Sequence, residues 1–351
     1  MVKSSVLGAG AVGGYVAGMI AGHHLPITLL CRPAQKTALL EAGLSIRGPE
    51  GRFHVPATDL DSEGSPENGN ELSVTTDPGN AVRKADLLFV CVKSQDTEDL
   101  LRSVAPHITS QTSVVLLQNG VRNKALVEEY LPENPCLEAV VLFNSLYLKP
   151  GEVTLTATES VIFDSEARET PAAQAASGLL QTAGISTRFH PNVRGILWTK
   201  LVINLNNGLS ALTGGTLFEG LRDRDTRHLG RSLMAEGIRV LETAGIALEP
   251  IPKVDPARLM WLLKTPGWFA ALVMKLLIKP YCDVQSSTWQ SRVRGRPTEV
   301  AYLNGEIVTL AAECGAEAPL NGKILEMVLE RDRTGDDRTY TPKELREILG
   351  I

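Results

Sequence analysis

Apolar and polar positions follow two rhythms along the chain. Up to Pro191, short apolar runs dominate: Val2–Leu7 and Ile27–Cys31 read as strands, and the continuous apolar character of Asp86–Lys93 (DLLFVCVK) and Thr112–Leu117 fits strands buried as in a parallel sheet. Small-residue or Ala/Gln-rich stretches between them, such as Tyr15–Ala21 and Pro171–Ala183, read as helices. Glu138–Asp164 is strand-like, with turns at Lys149-Pro150-Gly151 and Thr158-Glu159-Ser160, and Ile185–Phe189 is a final strand. Beyond Pro191 helical patterns take over, in Leu221–Ala244, Asp255–Leu263, Pro297–Cys314 and Pro319–Glu330. The change places a domain boundary near 190–195, and no repeat of fixed period is visible.

The first strand runs straight into Gly8-Ala9-Gly10-Ala11-Val12-Gly13-Gly14 and then a helix. Strand, GxGxxG, helix is the order a dinucleotide-binding fold needs: Gly8 permits the tight turn, Gly10 lets backbone approach a pyrophosphate, and Gly13 lets the helix pack on the strand with its N-terminus toward the phosphates. A Rossmann-type domain is therefore predicted over 1–192, followed by an all-α domain over 193–351. The second strand ends at Arg32 with no Asp or Glu to take ribose hydroxyls, whereas Arg32 and Lys36 offer positive charge to a 2′-phosphate. NADP is favoured over NAD. Lys93 and Asn119 close two further strands, where open α/β sheets bind ligands; each meets a cofactor or is a plain strand-end turn residue. The polar run Asp59–Glu71 reads as a surface loop without chemistry.

In the helical half, Trp198–Leu212 (WTKLVINLNNGLSAL) puts Lys200, Asn204 and Asn207 on one side of a helix among apolar neighbours. Buried amides and ammonium groups need partners, so the row is either satisfied within the protein or faces a polar ligand. Another unusual segment is Ser286-Ser287-Thr288-Trp289-Gln290, followed by Arg294-Gly295-Arg296-Pro297-Thr298-Glu299. Pro297 suits a first helical turn and Glu299 the favourable end of its dipole, so Glu299 is a helix cap or a site residue.

The chain has 351 residues, 43% hydrophobic and 21% charged, an ordinary globular composition long enough for two domains. A net charge of −5 gives no basic footprint for nucleic acid. Five scattered cysteines without CxxC or a His/Cys cluster fit a reduced cytoplasmic compartment and no metal. The N-terminus lacks a signal-peptide pattern, and the apolar stretch 261–278 is interrupted by Lys264, Pro266, Gly267 and Lys275, which suits a core or interface helix better than a membrane span. A homodimer through the apolar stretch 265–281 is the assembly suggested.

These pieces together resemble the ketopantoate reductase family, the 2-dehydropantoate 2-reductases. The matching residues run in order from residue 8 to residue 305: GAGAVGG at 8–14, Arg32, VK at 92–93, QNG at 118–120, WxKLxxN at 198–204, SS at 286–287, and GRPTE with a following LNG at 295–305. The glycine motif is shared by many dehydrogenases; the WxKLxxN and SS…GRPTE…NG blocks are far more specific. The resemblance implies a Rossmann domain and a helical domain, with NADPH and a 2-oxo acid meeting in the cleft between them. It makes Lys200 the general acid and places Glu299 beside the reacting centre, in contact with cofactor. Asn119, Asn204, Asn207 and Ser287 would hold substrate; Gly8, Ala9, Gly10, Ala11, Val12, Gly13, Arg32, Lys93 and Asn119 would contact cofactor. The chemistry agrees, because reduction of a ketone leaves an alkoxide that an ammonium can stabilise and protonate.

Two departures matter. Many members carry SSMLQD where this chain has SSTWQS, so Thr288, Trp289 and Ser291 replace methionine, leucine and an acid. The block after Lys200 is one residue shorter than in some members, so the second substrate asparagine is Asn206 or Asn207, with Asn207 preferred for its i+7 spacing from Lys200. The activity expected is NADPH-dependent reduction of 2-dehydropantoate to (R)-pantoate, for pantothenate and coenzyme A synthesis. The alternatives are another 2-oxo acid or an opine-type condensation on the same fold, and a non-catalytic nucleotide sensor, which would not need Lys200.

Overall fold

The computed structural model describes residues 2–48, 51–62, 71–158, 160–215, 217–252, 254–277, 295 and 297–351. The chain divides into two compact units, Met1–Val193 and Arg194–Ile351.

The first unit is built on a nine-stranded sheet. Its spatial order is Thr187–His190, Val161–Asp164, Cys136–Val141, Ser113–Leu116, Leu87–Val90, Ser4–Leu7, Ile27–Leu30, Leu72–Thr75 and Ala57–Asp59. Neighbours are parallel except Cys136–Val141 with Val161–Asp164. Alternate side chains feed opposite cores, Leu87 and Phe89 one, Leu88 and Val90 the other. Burial on both faces is why these strands read as unbroken apolar runs. Strand order reverses at Ser4–Leu7, so the turn that follows it lies where such sheets take ligands.

A second sheet orders Asn144–Lys149, Glu152–Ala157, Leu44–Gly48 and Gly51–Val55. It lies against the helix Ala11–Gly22 through a row of glycines: a Cβ on Gly14, Gly18 or Gly22 would stand 2.9 Å from Val153, 2.6 Å from Ile46 or 2.7 Å from Phe53. The strands at 44–55 carry no continuous apolar run, because Gly51–Val55 buries only Val55 fully; their pairing depends on the helix against which they pack.

The second unit is helical: Val193–Asn204, Asn206–Thr213, Leu217–Arg222, Arg224–Thr243, Pro256–Leu262, Gly267–Leu277, Asn304–Cys314, Pro319–Thr334 and Pro342–Leu349. Leu209, Leu212, Leu229, Leu233, Ile324, Val328 and Leu345 form a core among them. Two expected helices differ. The stretch 198–212 breaks at Leu205, whose N–H turns back to Val202 O (3.3 Å) while its carbonyl accepts from Asn304 Nδ2 (3.2 Å). The helix expected from Pro297 starts only at Asn304, after a 3₁₀ turn at Val300–Tyr302, so Glu299 is not in its first turn. Among the described residues no helix is long and apolar enough to cross a membrane, and no three His, Cys, Asp or Glu side chains are grouped to hold a metal.

Candidate active site

The glycine turn is shaped by backbone. Gly8 has φ +111° and its missing Cβ would stand 2.9 Å from Val92 N; a Cβ on Gly13 would stand 2.0 Å from Gly8 O. Both positions exclude any side chain. Gly10 is different: a Cβ there meets nothing within 4 Å, so open space lies before the start of the helix Ala11–Gly22. No side chain caps that helix, and its first intrahelical bond is Gly14 N to Gly10 O (2.8 Å). The amides of Ala11, Val12 and Gly13 thus precede the helical ladder and, with the helix dipole, favour an anion. Ala9 is buried, and its carbonyl accepts from Gln35 Nε2 (2.6 Å). Open backbone at Gly10 with donors behind it fits the pyrophosphate of a dinucleotide.

Arg32 caps the helix Pro33–Ala42 at the end of the second strand. Its Nη2 lies 2.9 Å from Asp96 Oδ2. An acid from the 3₁₀ turn Ser94–Asp96 thus stands beside Arg32, where the sequence after the second strand has none. Lys36, expected beside Arg32 as a phosphate ligand, is instead paired with Asp59 (2.6 Å) and Asp61 (2.8 Å). Lys36 is thus anchored by Asp59, the last residue of the strand Ala57–Asp59, and by Asp61, two acids of a stretch whose sequence suggests a loop without chemistry. Asp61 also accepts from Thr76 N (2.9 Å) and Asn80 Nδ2 (3.1 Å).

Lys93 and Asn119 are brought into one cluster. Lys93 precedes the 3₁₀ turn Ser94–Asp96. Ser94 Oγ donates to the Asn119 carbonyl (2.7 Å), as does Asn123 Nδ2 (2.8 Å), and Gly120 takes φ +96° against Ser94. Gln118 donates to Val92 O (2.8 Å), so the two strand ends are clamped together beside the glycine turn.

In the helical unit Lys200 and Glu299 come together. Burial pushes the Lys200 ammonium down to about 8, and the Glu299 carboxylate opposes this by favouring the charged form. Glu299 is 8% exposed. Its segment is fixed because Thr298 donates both its N–H (2.9 Å) and its hydroxyl (2.7 Å) to Asp332 Oδ2. Asn204 and Asn207 are half-buried on either side of the break at Leu205. Asn207 lies beyond that break, so its separation from Lys200 no longer follows one helical period. Asn206 turns inward, donating to Ile203 O (3.2 Å), and a Cβ on Gly230 would stand 2.5 Å from its Oδ1. Ser287, with Thr288 and Trp289, lies outside the described residues.

Behind the Leu205 break is a buried network that local pattern did not reveal. Asn304 donates to Asn321 Oδ1 (2.9 Å), Asn321 donates to Glu236 Oε1 (2.9 Å), and Glu236 accepts the N–H groups of Leu320 (3.0 Å) and Asn321 (2.8 Å). One signal was present in the sequence: Leu-Asn-Gly occurs at 303–305 and again at 320–322, and these two asparagines are the ones that meet.

Residues 5–167 match the family described as ketopantoate reductase PanE/ApbA, and residues 192–332 match ketopantoate reductase PanE/ApbA C terminal. The 2-dehydropantoate 2-reductase of Aquifex aeolicus (strain VF5) is 25% identical over 338 residues, 95% of this chain and 97% of that protein. A PanE/ApbA family ketopantoate reductase from Ralstonia eutropha JMP134 has a similar solved structure, with TM-score 0.77 and 27% identity across 95% of this chain and 99% of that one. D-Mandelate dehydrogenase, solved with NADH and anilino(oxo)acetate, gives TM-score 0.78 at 18% identity over 95% of this chain and 99% of that one, a likeness of fold alone. Matched through both of its units, the chain belongs to the ketopantoate reductase family of oxidoreductases.

Proposed function

We propose that the protein reduces 2-dehydropantoate to (R)-pantoate with NADPH, within pantothenate and coenzyme A biosynthesis. What supports this reading is the juxtaposition of Lys200 with the buried Glu299, where burial pushes the Lys200 ammonium down to about 8 and the carboxylate opposes that shift. A lysine held near neutrality is still protonated at working pH and gives up its proton readily, as a general acid must.

When bound, the reduced nicotinamide supplies the hydride equivalent for the ketone carbon. Lys200 donates its proton to the ketone oxygen as charge develops there, and until then its positive charge stabilises that oxygen. Glu299 keeps Lys200 charged despite burial and contacts cofactor beside the reacting centre. Asn204, Asn207 and Ser287 orient the substrate by hydrogen bonds to its carboxylate and hydroxyl; Asn207 is preferred to Asn206, whose side chain donates to Ile203 O. The backbone from Gly8 to Gly13 receives the pyrophosphate, Arg32 meets the 2′-phosphate, and Lys93 and Asn119 contact cofactor, Asn119 also reaching substrate. The compartment proposed is the cytoplasm; Cys31, Cys91, Cys136 and Cys314 are free thiols.

The test is loss of reduced-nicotinamide absorbance with 2-dehydropantoate beside a panel of 2-oxo acids. A kcat/KM of about 10⁴ M⁻¹s⁻¹ or more for 2-dehydropantoate supports the reading, and turnover confined to another acid overturns it. One observation favours such a second reading: Trp289 stands where many members have leucine. A bulkier residue there suits a different 2-oxo acid on the same fold.

A further inference from the structure

Arg32 ends a strand that carries no acid of its own, yet the fold brings one to it. Asp96 Oδ2 lies 2.9 Å from Arg32 Nη2, and the two side chains are 40% and 51% exposed, so the pair is open to a ligand. Lys36, one turn into the helix that Arg32 caps, is held by Asp59 at 2.6 Å and Asp61 at 2.8 Å and turned to that task. A 2′-phosphate arriving at Arg32 therefore meets a guanidinium already bonded to a carboxylate. The two anions compete for one cation, and the repulsion between them reduces what the phosphate gains. A free ribose 2′-hydroxyl meets the opposite situation, because a carboxylate oriented by an arginine is a strong acceptor for an O–H donor.

We infer that Asp96 is a specificity-determining residue, which accepts the 2′-hydroxyl of NADH and loosens the hold of Arg32 on the 2′-phosphate of NADPH, so that the protein binds both nucleotides. The inference rests on the cofactor reading above and deepens it. Asp96 has no competing structural duty as a cap: it precedes the helix Thr97–Val104 and its side chain makes no capping bond there. Asp96→Asn keeps shape and removes charge.

The experiment is direct titration of the full-length protein with NADPH and with NADH at fixed ionic strength, without 2-oxo acid, read by nicotinamide fluorescence. The unsubstituted protein binds both. Asp96→Asn shifts the ratio of the two Kd values toward NADPH by about 5-fold or more, the scale of an exposed ion pair combined with a lost charged acceptor. Asp99→Asn removes the same charge from a side chain that is 88% exposed and 3.7 Å from Arg102, and leaves the ratio unchanged. An unchanged ratio in Asp96→Asn, or an equal shift in Asp99→Asn, overturns the inference while leaving the cofactor reading intact. Binding of neither nucleotide by the unsubstituted protein overturns that reading and the selector with it.

Discussion

The side-chain amide of Asn304 donates to the carbonyl of Leu205, 3.2 Å away, at the residue that separates the helix Val193–Asn204 from Asn206–Thr213. Asn304 is fully buried. Asn304→Ala leaves the Leu205 carbonyl and Asn321 Oδ1 without this donor, at about 1–3 kcal/mol for each orphaned acceptor. Chemical denaturation should show a lower midpoint. Because Asn204 and Asn207 flank the break, the KM for the 2-oxo acid should rise while nucleotide affinity stays near its original value.

Lys200→Ala tests the proton-donor role proposed for this residue. Loss of a general acid lowers kcat by about 10²–10⁴-fold. Nucleotide binding, measured by fluorescence, should persist. Near-normal turnover would remove Lys200 from its role.

The pH profile follows from the lysine's environment. Burial brings Lys200 to about 8, so kcat should fall as pH rises through about 8 and the acid is lost. Glu299 raises that value, so Glu299→Gln should move the falling limb to lower pH. Stability runs the other way. The folded value lies below the ordinary 10.5, so the unfolded chain binds more protons between about 8 and 10.5; the cost of burying the ammonium is complete below about 8 and is relieved as pH rises toward 10.5. Denaturation midpoints across this range in wild type and Lys200→Met would show whether that relief belongs to Lys200.

Gly10 and Gly13 should separate binding from folding. A Cβ on Gly13 would stand 2.0 Å from the Gly8 carbonyl, so Gly13→Ala forces the helix off its strand and should lower Tm sharply. Gly10→Ala places its methyl in open space, so Tm should hold while nucleotide affinity falls. Equal loss of Tm in both variants would contradict this division of labour.

Much of the architecture is legible locally. The runs at Leu87–Val90 and Ser113–Leu116 announce strands because both faces are buried, and the glycine turn announces itself because φ and close approach constrain it residue by residue. The strands Leu44–Gly48 and Gly51–Val55 are not legible locally, because a partly exposed strand has no run to display. The ion pairs of Lys36 are not legible locally, because charge along the sequence says nothing about which acids fold back to meet it.

By itself the sequence determined the fold class, the family and the residue types of the candidate site, since periodicity, turn chemistry and ordered motifs act over a few neighbouring positions. Tertiary structure alone decided how those residues are employed: Asp96 reaches Arg32 across 64 positions, Asn321 reaches Glu236 across 85, and Asn304 reaches Leu205 across 99. Each pairing exists only once chain closure and burial have brought the partners together, and no local pattern carries that information.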